Sequence, residues 1–328
     1  MYKIEKLKNG LRVITEEMQD RNSVSIGIWV GVGGRYEDQR VKGATHFLEH
    51  VVFKGSHKYG CEEIKEKIEG VGGALNAFTT EEQTCFYAKI PATHLNQAFD
   101  VLSDMVFFPR MRATDVTKEK TVIIEEIKMY HDLPQYFVLE LLDGLLWPGH
   151  PLGGHLAGTI ESVSGLSARD LNRFHRQYYL PANVVVSVCG KMEHAKLIKV
   201  IKKKLSGLEG HADWGYDRVS EKQFEPRVNF FRKDIEQMHL ALGMPAYDEN
   251  HPDRYVLGLL SIILGGNMSS RLFVQVREKK GLAYSIGSCH KTMHDVGVFM
   301  VRAGVDNLKL VEAVDVILKE FKKIKKNG

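Results

Sequence analysis

No apolar run in this 328-residue sequence approaches the roughly 20 residues that span a bilayer, and its longest candidates, such as Val256 to Leu264, are interrupted by glycine. A membrane-embedded role is therefore not expected. Met1 to Thr15 alternates charged and apolar residues and lacks the continuous apolar core of a secretory signal, so the expected location is cytoplasmic. Cysteine is sparse as well. Cys61, Cys85, Cys189 and Cys289 lie far apart with no CxxC spacing, which fits reduced thiols used for packing better than a disulfide framework. Charge of one sign is also missing: 45 Lys and Arg face 41 Asp and Glu, a net charge of +4. Spread over so large a surface, that balance leaves no nucleic-acid footprint. The one basic cluster, Lys319, Lys322, Lys323, Lys325 and Lys326, reads as a solvated helix face and tail. Gly31, Gly33 and Gly34 follow a strand but do not complete GxGxxG, which removes a dinucleotide reading.

What is present is a 44% hydrophobic chain, long enough for about two domains. Leu11 to Thr15 and Ser23 to Val32 read as strands, and a helix beginning near Gly43 or Thr45 ends at Gly55. Cys61 to Gly70 reads as a second helix and Ala74 to Ile90 as a hairpin. Leu95 to Phe108, Thr114 to His131, Gln135 to Leu146 and Ser167 to Gln177 carry helical periodicity, and Asn183 to Cys189 is a buried-strand run. The fold class is α+β, a mainly antiparallel sheet packed against helices. A polar, glycine-containing linker covers Gly207 to Pro226, dividing a domain over 1–215 from one over 216–328. Beyond it the pattern restarts: strand Met238 to Gly243, helices Asp253 to Leu264 and Ser270 to Lys279, strands Ala283 to Ser288 and Gly297 to Ala303. The order repeats that of Ser23 to Ile90, which predicts an internal duplication without a metal motif in its second, shorter copy.

His46, Phe47, Leu48, Glu49 and His50 spell HxxEH. Residues four apart share a helix face, so the imidazoles of His46 and His50 converge on one ion. Glu49 stands about 100° around the helix from His50 and about 60° from His46, placed to reach water at the ion without binding it. A catalytic zinc site uses three ligands of His and carboxylate type and keeps a fourth position open. The helix from Thr114 to His131 offers Glu119, Glu125 and Glu126. Glu119 and Glu126, two turns apart, share a face, so one can ligate while the other supports it; spacing alone leaves Glu125 in competition with Glu126.

The sequence resembles the pitrilysin or insulinase family of zinc peptidases, in the branch that includes mitochondrial processing peptidase and its bacterial relatives. The resemblance rests on HFLEHVVFKG from His46, GGALNAFT from Gly72, EKTVIIEE from Glu119 and REKKGLAYSI from Arg277. It implies one Zn²⁺ per chain, with Glu126 as third ligand, Glu49 as general base and Glu119 as an acidic helper at the catalytic site. It also implies that Asn76, Ala77 and Phe78 lie on an edge strand that pairs with substrate, and that Arg277 and Tyr284 donate hydrogen bonds to substrate and oxyanion. The implied activity is metalloendopeptidase action on peptides or unfolded segments, inside a chamber enclosed by two such domains and completed in a homodimer or with a partner subunit. From the same resemblance, the final strands and helices of the second domain are expected beyond Gly328, and their absence here reads as truncation.

Two other readings stand beside it. One is a non-catalytic, chaperone-like subunit that binds extended peptides, although such relatives typically lose ligands that are all present here. The other is a structural zinc protein, which would need a fourth ligand at short spacing, and no fourth His or Cys lies there. Taken singly, Asn76 reads as a turn residue, Arg277 as part of an exposed charged helix end and Tyr284 as strand packing.

Overall fold

The structure, a computed structural model, describes residues 1–210, 215–220, 223 and 225–327. Part of the expected linker lies outside these residues. Two compact units are distinguished: Met1–Ile127 with His155–Asp217, and Lys128–Gly154 with Arg218–Gly328.

In the first unit the strands are β1 (Lys3–Lys6), β2 (Arg12–Glu17), β3 (Ser23–Val30), β4 (Ala74–Thr79), β5 (Thr84–Pro91) and β6 (Val184–Gly190), in sheet order β1-β2-β6-β3-β5-β4. All neighbours are antiparallel except β2 and β6. The β3 sequence SVSIGIWV is β-branched and mostly buried, as a strand flanked on both sides must be. Helices α1 (Ala44–Val51), α2 (Cys61–Glu69), α3 (Leu95–Phe107), α4 (Ala113–Asp132), α6 (Ile160–Gly165), α7 (Ala168–Tyr178) and α8 (His194–Leu205) accompany the sheet; α4 runs across the division between units, and α5 (Pro134–Leu146) belongs to the second. Phe47, Leu48 and Val51 of α1 and Ile123 and Ile127 of α4 enter one core with Ile26, Ile28 and Phe86 of the sheet.

The second unit has β7 (Gln237–Ala246), α9 (Arg254–Gly265), β8 (Ala283–Thr292), β9 (Gly297–Asp306) and α10 (Leu310–Asn327), with sheet order β7-β9-β8. Its core gathers Leu272, Val276, Phe299, Val301 and Ile317. The order matches β3-β5-β4 strand for strand. Even the single 3₁₀ turn between β5 and α3, Ala92–His94, has its counterpart at Asn307–Lys309 before α10. The duplication read from element order is thus visible in strand pairing.

Some details differ from the sequence reading. The helix expected over Ser270 to Lys279 is wound as a π-helix over Phe273–Glu278; the wider turn lets the bulky Leu272, Phe273 and Val276 all be buried. Of the four cysteines, all free, only Cys85 is buried, while Cys189 and Cys289 are exposed. The basic cluster near the end lies on α10 as expected. Among the described residues no helix is long and apolar enough to cross a membrane.

Candidate metal centre

Burial of the apolar side of α1 decides where its polar residues point. Ala44, Phe47, Leu48 and Val51 are fully buried, so His46, Glu49 and His50 are left on the remaining surface of the same helix. The start of α1 is fixed by two devices. Gly43 has φ +89°, and a Cβ there would meet the Ala157 carbonyl oxygen at 2.6 Å, so only glycine fits. The buried Glu37 carboxylate accepts from Gly43 N–H at 2.8 Å and Thr45 N–H at 2.7 Å. It thereby satisfies donors that a helix start leaves unpaired and places an acid at the positive end of the dipole. Burial pushes the Glu37 pKa up, opposed by Lys42 and these N–H donors.

Across from α1, α4 presents Glu119 and Glu126, seven residues apart on a face that also carries buried Val116 and Ile123. His50 Nε2 lies 3.4 Å from Glu126 Oε2, and His46 Nε2 lies 3.7 Å from Glu126 Oε1. One ligand atom from each of the three residues lies within 4.8 Å of the other two. The two imidazole rings are 4.7 Å apart. Glu119 does not join that trio. Its buried carboxylate accepts from His50 Nδ1 at 3.2 Å and pairs with Lys54 Nζ at 2.6 Å, which orients the ring so that Nε2 faces Glu126. Glu125 is exposed and is not part of the group.

The electrostatics of the trio are asymmetric. Burial, reinforced by the neighbouring His50, pulls the His46 pKa down to about 4, so at neutral pH its ring is uncharged. For His50, burial is outweighed by hydrogen bonds to Glu119 and Glu126, and its pKa rises to about 9. The His50 hydrogen bond, against burial, holds the Glu126 pKa below the usual carboxylate range. His46 Nδ1 is buried and has no hydrogen-bond partner among the described residues. Two imidazoles and a carboxylate gathered this closely, with the buried His46 Nδ1 left without a partner among the described residues, fit a cation better than a self-contained polar network. The donor set of two nitrogens and one carboxylate, with no fourth protein ligand in the group among the described residues, is that of an open zinc site.

Glu49 of α1 reaches the end of β4, where Thr79 Oγ1 donates to its Oε2 at 2.6 Å. Burial raises its pKa against that hydrogen bond, so the carboxylate accepts a proton more readily than one in water. Asn76, Ala77 and Phe78 all lie on β4, the edge strand of the first sheet. Asn76 and Phe78 are exposed on one face, and the Asn76 carboxamide oxygen accepts from the Ala77 N–H at 2.8 Å. In the second unit the Arg277 guanidinium lies 4.7 Å from the Phe273 ring centre and 5.4 Å from that of Tyr284, which is 72% exposed. The residues read from the sequence thus form three groups: the α1–α4 cluster, the β4 edge, and the Arg277–Tyr284 pair. Thr79 and Lys54 escaped the sequence reading, although both lie inside the motif segments GGALNAFT and HFLEHVVFKG; nothing in spacing marks a hydroxyl or an amine as the partner of a particular carboxylate.

Comparison with known proteins bears on the family. Residues 12–160 match the family model described as insulinase (peptidase family M16), and residues 165–328 match that of the peptidase M16 inactive domain. A Bacillus subtilis protein named as an uncharacterized zinc protease, YmxG, is 37% identical over 98% of this chain and 78% of its own length. A Streptomyces coelicolor protein, also named as an uncharacterized zinc protease, is 35% identical over 98% of this chain and 72% of its own. A crystal structure of a protease from Helicobacter pylori superposes with a TM-score of 0.94 at 25% identity, covering 99% of this chain and 80% of that one. A peptidase M16 inactive domain from Pseudomonas fluorescens shares the fold, with a TM-score of 0.92 at 19% identity. Relatives matched along nearly the whole chain, together with the two models that divide it between them, place this chain in the insulinase family, peptidase family M16.

Proposed function

We propose that this chain is a zinc-dependent endopeptidase that hydrolyses peptides or unfolded polypeptide segments. The observation that carries the reading is the convergence of His46 and His50 of α1 with Glu126 of α4, beside the half-buried Glu49 of α1. The two histidines and Glu126 would hold the ion. Zinc held there supplies Lewis acidity, which polarises a peptide carbonyl and acidifies water. Glu49 takes a proton from the attacking water as its oxygen bonds to the scissile carbon, then delivers that proton to the leaving nitrogen as the C–N bond breaks. Thr79 holds Glu49 in place, and Glu119 orients His50 and is the acidic helper of the reaction. The open edge of β4 pairs with an extended substrate through its main chain, with Asn76, Ala77 and Phe78 at the contact. Arg277 and Tyr284 donate to substrate and to the charge that develops on the carbonyl oxygen. The working assembly is a homodimer or a complex with a partner subunit, to be read by light scattering.

The test is turnover of a quenched fluorescent peptide before chelation, after chelation and after zinc is restored. Hydrolysis should vanish and return. Full activity in the metal-free protein would overturn the proposal. The match of residues 165–328 to an inactive-domain model supports a second reading, a non-catalytic peptide-binding subunit. Under it the protein binds zinc and peptide with no turnover under any of the three conditions.

A further inference from the structure

The glycine-containing stretch after β3, which completes no nucleotide motif, has a different task. Residues 32–35 run against the turn at 80–83 that links β4 to β5. Gly34 N–H donates to the Thr80 carbonyl at 3.2 Å and Arg35 N–H to the Glu81 carbonyl at 2.8 Å. Just past the turn, Thr84 Oγ1 donates to the Val32 carbonyl at 2.9 Å. A Cβ on Gly33 would stand 2.2 Å from the Thr80 carbonyl oxygen, so the two backbones meet this closely only because glycine is there.

The Arg35 side chain closes the arrangement. It is fully buried, and its Nη1 donates to Glu82 Oε1 of the same turn at 2.7 Å. Its Nη2 donates to the Asp217 carbonyl at 2.9 Å, and the guanidinium carbon lies 4.0 Å from the centre of the Tyr216 ring. A buried guanidinium is costly unless its charge is paired and its donors are used. Here the planar fork meets a carboxylate, a carbonyl and an aromatic face at once. The turn it grips starts at the residue after Thr79, whose hydroxyl donates to Glu49 at 2.6 Å, and it terminates β4, the edge strand of the sheet.

We propose that Arg35 is a positioning residue for the reaction. By holding the turn through Glu82, with Tyr216 and Asp217 seated on it, Arg35 sets where Thr79 holds Glu49 and where the β4 edge meets the substrate. It acts through Thr79 and not on the substrate itself. A residue distant in sequence from the zinc motif, Tyr216, thereby acquires influence over turnover without touching the ion. The inference rests on the peptidase reading above.

The test is a double-mutant cycle on the zinc-loaded 328-residue chain, read as turnover of the quenched peptide. Glu82→Gln keeps the shape of the side chain and removes its charge. With zinc content and circular dichroism unchanged, kcat should fall at least about tenfold, as for a small displacement of a catalytic group. In a Thr79→Val background the same substitution should lower kcat less than about twofold, because the hydroxyl through which it acts is gone. Tyr216→Ala, a milder change, should lower kcat in the native background and be silent in the Thr79→Val one. Equal losses in both backgrounds would make Arg35 a structural clamp only and overturn the proposal. So would full activity in Glu82→Gln or, should that variant not fold, in Tyr216→Ala. If the wild-type chain binds the peptide without cleaving it, the peptidase reading fails by itself. Glu82→Gln should then weaken peptide binding measured by anisotropy, and unchanged affinity would overturn this inference as well. A chain that neither binds nor cleaves peptide would overturn both.

Discussion

Glu119 and Glu126 sit on the same face of one helix, yet their surroundings give them different work, and single substitutions separate them. Glu126→Ala should release zinc, measured as metal content after dialysis, whereas Glu125→Ala, at an exposed position outside the cluster, should retain it. Glu119→Gln keeps the shape but weakens the hold on His50. Zinc affinity should fall by about 10- to 100-fold, as for other residues that orient a ligand from behind, read by competition with a fluorescent chelator. Glu49→Gln should keep zinc and lose about 10²- to 10⁴-fold in turnover, measured with the quenched peptide; full activity in that variant would remove Glu49 from its role. The histidines and Glu49 were legible because helical periodicity converts an interval of four into a shared face. Spacing alone did not separate Glu126 from Glu125, and only the family resemblance chose Glu126, since adjacent residues on a helix differ by which way the buried apolar stripe turns; with Ile123 and Ile127 in the core, Glu126 faces the histidines and Glu125 is exposed.

The seam between α3 and α7 carries a pH dependence of its own. His175 of α7 is buried with Nε2 on the Val106 carbonyl at 2.8 Å, and burial draws its pKa from 6.5 down to about 4. Its folded pKa is depressed, so between those values the unfolded chain binds the extra proton. Stability from this group is therefore complete above about pH 6.5 and declines as pH falls toward 4, by up to about 1.4 kcal/mol per pH unit. His175→Gln retains a donor for the carbonyl and should flatten that slope in urea unfolding; an unchanged slope would place the acid sensitivity elsewhere. Elements were read from the sequence with different success. Strands β3 and β5 and helices α1, α2 and α3 announced themselves by alternation or periodicity bounded by glycine, proline or polar residues, whereas β1, KIEK, has no buried residue to give a period. The π-helix at Phe273–Glu278 was invisible because apolar spacing cannot distinguish a widened turn from a regular one.

At the scale of the molecule, the proposed function has zinc bind only the folded α1–α4 cluster, so the ion should stabilise the chain by mass action. At 100-fold excess over its dissociation constant the gain is about 2.7 kcal/mol, or roughly 5–10 °C in Tm for a unit of this size. Calorimetry with and without the ion should show that shift, and E126A should abolish it. The parallel pairing of β2 with β6 has a separate bearing on biosynthesis. Val13 lies opposite Val186, so β2 and β3 leave the ribosome long before the strand that joins them exists. At about 5–20 residues per second that interval is on the order of ten seconds or more. Throughout it the nascent chain displays two unsatisfied strand edges, a period in which holding chaperones have most to protect.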